Sequence, residues 1–173
     1  MNKKPIFLAP ALALVVSASA QAAGVFMDAD WAAAMCEQWN SSSELTEGLG
    51  GDDWIANNAG RGYKIIHLYR TNCGEQTKVE LELTDQGGKA HCAYGGAVKH
   101  AELNYDVDYL MHAEDDDWVC MGEGKFGCGA MGAMMTGKLK FQGPKGEAMG
   151  VMGPFDTFLV STGKVPGDKA GCP

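Results

Sequence analysis

Residues 78–94, KVELELTDQGGKAHCAY, carry the pattern that decides the fold class. Val79, Leu81 and Leu83 alternate with Lys78, Glu80 and Glu82, the period of two that places one apolar face on a β-strand. Asp85-Gln86-Gly87-Gly88 follows as a hairpin turn, and Lys89 to Tyr94 returns with Ala90, Cys92 and Tyr94 on one side. Such a pair predicts an antiparallel sheet with one covered face and one wet face. Outward from this hairpin, Tyr63 to Arg70 (YKIIHLYR) is rich in aromatic and β-branched residues and reads as a strand. Glu102 to Met111 alternates for longer still, with Leu103, Tyr105, Val107, Tyr109 and Met111 facing one way. Lys138 to Phe141 completes a set of five strands.

Helical signals flank the strands. From Asp28 to Trp39, Trp31, Met35 and Trp39 recur every four residues behind an Asp28 or Asp30 cap. Asp52 and Asp53 can cap a short second helix carrying Trp54 and Ile55. Glu114 to Asp117 supplies an acidic first turn to a helix with Trp118, Val119 and Met121. Ala130 to Met135 predicts another short helix, and Ala148, Met149 and Met152 a further one. Gly153-Pro154 interrupts that helix, and Pro154 suits the first position of a closing helix bearing Phe155, Phe158 and Leu159. The expected architecture is α+β: a five-stranded, largely antiparallel sheet with short helices over its one apolar face.

The first residues read as an export signal. Lys3 and Lys4 precede an apolar run from Ile6 to Val16, then small residues, with cleavage expected after Ala20 or Ala22. The run is shorter than the ~20 residues of a spanning helix, so stable membrane insertion is not expected. The expected division is a signal peptide over 1–22, an N-terminal helical segment over 23–53, a main domain over 54–164 and a tail over 165–173. The tail is expected to be loose apart from Cys172. About 150 residues remain after cleavage, one ordinary domain, expected to be a monomer in the periplasm. The net charge of −8 becomes more negative without Lys3 and Lys4. A surface of that sign repels phosphates and excludes nucleic acid as a partner class. All six cysteines lie beyond the signal, and an even count in an exported chain predicts disulfides. The pairing stays open, with Cys120 to Cys128 favoured because they flank a short glycine-rich turn.

No catalytic constellation can be assembled. His67, His91, His100 and His112 stand in or beside strands without a partner motif, and neither G-x-S-x-G nor H-E-x-x-H occurs. No metal site or cofactor is expected: the acidic run Glu114 to Asp117 lacks the oxygen spacing of a calcium loop. The methionines are more informative. Five of the ten lie between residues 131 and 152, interleaved with Gly132, Gly150 and Gly153. Methionine adapts to varied apolar shapes, and small residues between such arms let helices part around a guest. A cavity lined by Met, Phe and Trp is therefore expected between helices and sheet, with Trp118 and Phe126 among its aromatic candidates. Tyr105 or Tyr109 is the candidate to meet a ligand hydroxyl.

Residues from about Trp54 to Lys164 resemble the sterol carrier protein 2 family. The most specific match runs from Ala133 through Met134, Met135, Thr136, Gly137, Lys138, Leu139, Lys140 and Phe141 to Ala148-Met149. A short helix there ends in a Gly-Lys-Leu-Lys strand, and a glycine turn leads into a helix containing Ala-Met. Asp115 to Trp118 also matches the family's approach to the preceding helix. The resemblance implies a hydrophobic tunnel between sheet and helices, holding a sterol, fatty acyl chain or other apolar molecule without catalysis. Carried over residue by residue, its lining falls on Met131, Met134, Met135, Met149, Met152, Phe155 and Phe158. Familiar members are often intracellular, whereas this chain reads as an exported bacterial one. The expected function is binding and transfer of an apolar lipid, with presentation of an apolar substrate to an enzyme in the same compartment as the alternative.

Overall fold

The computed structural model describes residues 24–173. The export-signal expectation for 1–22 lies outside the described residues. Asp28 caps α1 (Ala29–Asn40) by accepting from the amide of Trp31, and Trp31, Met35 and Trp39 are buried along one face as their spacing predicts. The sheet comprises β1 (Tyr63–Arg70), β2 (Val79–Asp85), β3 (Ala90–Ala97), β4 (Tyr109–Ala113) and β5 (Lys140–Gln142), in the order β3-β2-β1-β4-β5. All neighbours are antiparallel except β1 and β4. The hairpin at 85–88 closes with Gly87 and Gly88 both at positive φ, 64° and 81°. That is the conformation a two-residue turn with the strands' own twist requires.

The helices α3 (Asp115–Gly122), α4 (Ala130–Thr136), α5 (Lys145–Gly150) and α6 (Met152–Lys164) join α1 in covering the inner sheet face. The cysteines form three bridges, Cys36–Cys92, Cys73–Cys172 and Cys120–Cys128, the last being the expected pair. Among the described residues no helix is long and apolar enough to cross a membrane.

Several expectations need correction. Residues 51–56 form turns, and the short helix is instead α2 (Ser43–Thr46), capped by Ser42. The chain beyond it is drawn to the hairpin tip, where Gly51 donates to the carbonyl of Gly88, so its amides do not serve a helix. Residues 102–108 alternate in sequence but form a loop. Asn104 and Asp108 bond to local backbone, Asn104 N to Asp108 Oδ2 at 2.9 Å and Asp106 N to Asn104 Oδ1 at 3.1 Å. Such short polar side chains compete with ladder pairing. Tyr94 does not share a face with Ala90 and Cys92, because a bulge sets Glu82 opposite Tyr94 and Leu83 opposite Cys92. The break before the closing helix falls at Val151, ahead of Gly153-Pro154, which sit inside the first turn of α6.

The tail is held as well as bridged. Phe26 N donates to Asp168 O, and the Arg70 guanidinium reaches the carbonyls of Lys169 and Gly171. The outer sheet face is not simply wet either. Ile65, His67, Glu80 and Leu110 are buried there, with the 98–108 segment supplying Lys99, His100 and Asp108 to their backbone and side chains.

Candidate functional site

Where sheet and helices meet, the chain encloses an apolar cavity. Ile66 of β1, Tyr109 and Met111 of β4 and Phe141 of β5 form its floor, and Trp39, Leu49 and Trp54 form one wall. Ala148, Val151, Phe155 and Phe158 close it from α5 and α6. Its volume is about 30 Å³, room for a water-sized guest. An open tunnel was expected; the interior is instead largely filled by the chain's own aromatic side chains. Phe158 meets Trp39 edge-on at 5.8 Å, and Tyr109 stacks on Trp54 at the same centroid distance.

The nine candidate lining residues separate. Phe155 and Phe158 line the cavity. Trp118 is buried in α3, with its indole donating to the carbonyl of Tyr69, and contributes no wall. Met134 and Met152 are half-buried against the core. Met131, Met135 and Met149 are exposed on the outer sides of short helices, and Phe126 is fully exposed in the turn between α3 and α4. Met134 lines a surface groove with Leu139 and Phe141, and Phe141 is shared between that groove and the cavity. Tyr105 is exposed on the 102–108 loop, whereas Tyr109 reaches the cavity.

A buried polar cluster adjoins the cavity at Trp54 and Tyr109, which sequence reasoning missed. Lys64 is completely buried on the inward side of β1. Its ammonium donates to both carboxylate oxygens of Glu147 on α5, at 2.9 and 2.7 Å, and to the carbonyl of Trp54 at 3.2 Å. The ammonium also lies 4.5 Å from the centre of the Trp54 ring. The Tyr109 hydroxyl donates to Glu147 Oε2 and accepts from the Trp54 indole at 2.9 Å. Asn57 Nδ2 donates to Glu147 Oε1 at 2.8 Å. Burial draws the Lys64 ammonium below the ordinary lysine range against the opposing pull of Glu147. Burial, reinforced by the neighbouring carboxylate, pushes the Tyr109 phenol well above its ordinary range. The signal available in sequence was parity: Lys64 shares its side of the strand with Ile66 and Leu68.

A second polar cluster lies on the outer sheet face, away from the cavity. Glu80 accepts from His67 Nε2 at 3.1 Å, His100 Nδ1 at 2.8 Å and the amides of Lys99 and His100. Glu80, Glu82 and His100 offer oxygen and nitrogen atoms within 4.8 Å of one another. Four hydrogen bonds already occupy the Glu80 oxygens, so a structural role accounts for this group. Every cysteine is bridged, leaving no thiol nucleophile near any histidine.

Residues 55–156 match the SCP-2 sterol transfer family. Two solved structures share the fold. The crystal structure of sterol carrier protein 2 aligns at a TM-score of 0.53 and 18% identity, over 81% of this chain and 98% of that one. The solution structure of a conserved hypothetical protein from Thermus thermophilus gives 0.52 and 17%, over 84% and 95%. No curated protein sequence matches the chain.

Proposed function

Because the chain belongs to the SCP-2 sterol transfer family, we propose that it binds a single apolar lipid or sterol-like molecule between its sheet and α5–α6, and carries that molecule between donors and acceptors. Family membership makes it a non-catalytic module. The observation carrying the proposal is the apolar cavity between Ile66, Tyr109, Phe155 and Phe158. Ligand sites generally measure about 300–1,000 Å³, so this interior enlarges to accept cargo. Its least constrained wall is α5, six residues long, separated from α6 by Val151 at non-helical φ −124°. The groove at Met134, Leu139 and Phe141 is the route of admission, with Phe141 between outside and inside. A guest losing several hundred Å² of apolar surface at about 25 cal/mol per Å² gains several kcal/mol, enough to offset parting the walls.

The compartment belongs to the same proposal. The charged, apolar and small-residue order of residues 1–22 and the three disulfides support export to the periplasm.

Native mass spectrometry of the purified protein, with uptake of a fluorescent sterol and a fluorescent fatty acid, tests the binding. Wild type is expected to carry or take up one guest. Phe141→Glu, which sets a charge across the route, is expected to reduce uptake by about tenfold or more while the fold is retained. A clean apo mass with no uptake of either probe rejects the carrier function.

A further inference from the structure

Packing accounts for only some of the methionines. Met27, Met35, Met111 and Met121 are buried in the core. Met131 and Met135 are not: they are 39% and 80% exposed on α4, and Met134 beside them is half-buried. Their places follow from the helix. Ala130 and Ala133 face inward and are completely buried. At 3.6 residues per turn, Met134, Met131 and Met135 follow in that order around the cylinder, over an arc of about 100°. Their exposure rises in the same order. Gly132 fixes the setting, since a Cβ there would lie 2.7 Å from the carbonyl oxygen of Gly127, inside the loop that the Cys120–Cys128 bridge closes.

Residues three and four apart on a helix have Cβ atoms about 5–6 Å from one another. Met131 stands in that relation to both Met134 and Met135, and each carries its sulfur on a flexible, unbranched stem. Three thioethers can therefore meet over one point on the outer side of α4. Burial gives no reason for methionine at so exposed a position as 135, and leucine forms helix equally well. What methionine adds there is sulfur.

Thioether sulfur is a soft donor that selects Cu(I) over hard cations. The surroundings sharpen that choice. Residues 124–146 contain four lysines and no aspartate, glutamate or histidine. A divalent ion that needs oxygen or imidazole ligands finds none there and meets positive charge. Cu(I) carries a single charge and needs neither. Every cysteine is bridged, so no thiolate competes for the ion elsewhere on the chain.

We propose that Met131, Met134 and Met135 form a Cu(I)-binding site on the outer side of α4, separate from the apolar cavity and independent of its cargo. Three neutral sulfurs hold the ion, with no change in its oxidation state.

Titration of the purified protein, isotope-labelled at its methionine methyls, with tetrakis(acetonitrile)copper(I) under nitrogen tests this by NMR. The methyl signals of Met131, Met134 and Met135 are expected to shift along one binding curve. Those of Met149, exposed on α5 outside the cluster, and of the buried Met35 are expected to stay in place, and zinc(II) to shift none. Met135→Leu keeps the size of the most exposed side chain and removes its sulfur. It is expected to raise the Cu(I) concentration at which Met131 and Met134 are half shifted by about tenfold or more. No shift in wild type, an equal shift at Met149, an equal response to zinc(II), or unchanged titration of Met131 and Met134 in Met135→Leu overturns the site.

Discussion

Glu80 shows how a single residue on the outer sheet face holds two segments together. Burial alone would raise its carboxyl, but the bonds from His67, His100 and the amides of His100 and Lys99 outweigh burial and hold it at about 2. A carboxyl lowered in the folded state contributes stability above its unfolded value, near 4.5, and that contribution fades as pH falls towards 2. The contribution is on the order of 3 kcal/mol at neutral pH. Urea unfolding of wild type and Glu80→Gln should therefore show a wide gap near pH 7 that narrows steadily below about pH 5. A gap independent of pH would remove the ionised carboxylate from this account. The same residue marks a limit of sequence reading. Alternation correctly placed Glu80 opposite Val79 and Leu81, yet nothing local announces that 98–108 folds back to cover it. Lys64 and Glu147 are hidden for the same reason, since 83 residues separate the two partners.

At the scale of elements, the contact of α1 with β3 depends on the absence of a side chain. A Cβ on Gly95 would lie 2.1 Å from the carbonyl oxygen of Ala32 and 2.8 Å from the Cβ of Cys36. The Cys36–Cys92 bridge ties the same two elements, so the helix cannot simply slide away. Gly95→Ala is expected to cost about 1–3 kcal/mol through overpacking, seen as a lower denaturation midpoint. An unchanged midpoint would mean that helix and strand separate more easily than this contact implies. Elements whose signals are local were legible: the amphipathic α1, the 85–88 hairpin, and the acidic first turn of α3. Those decided by competition were not. Residues 102–108 have the alternation of a strand, but Asn104 and Asp108 take their bonds locally. Asp52 and Asp53 have the chemistry of a cap, but the backbone before them is held by the hairpin. The methionine-rich helices existed as expected. Their outward residues, Met131, Met135 and Met149, cannot be told from inward ones when an element is only six or seven residues long.

The distribution of crosslinks over the whole molecule determines where it can open. Cys36–Cys92 fixes α1 to β3, Cys73–Cys172 fixes the turn after β1 to the tail, and Cys120–Cys128 fixes α3 to the segment before α4. None reaches β5 or α5. The side-chain ties of α5 to the rest of the chain converge on Glu147, which meets Lys64, Tyr109 and Asn57, beside the buried Ala148. Local opening follows the density of such ties, so a covalently stapled frame with one lightly held wall should open at that wall. Amides of α5 and the first turn of α6 are therefore expected to exchange with deuterium well before those in the middle of α1, α3 and β1. Adding oleate should slow exchange in α5 selectively, because a bound guest refills the space the helix closes over. If α5 proved as protected as α1, with no response to ligand, the opening would have to be sought elsewhere. The groove at Met134 and Leu139 would then be a surface feature without a passage behind it.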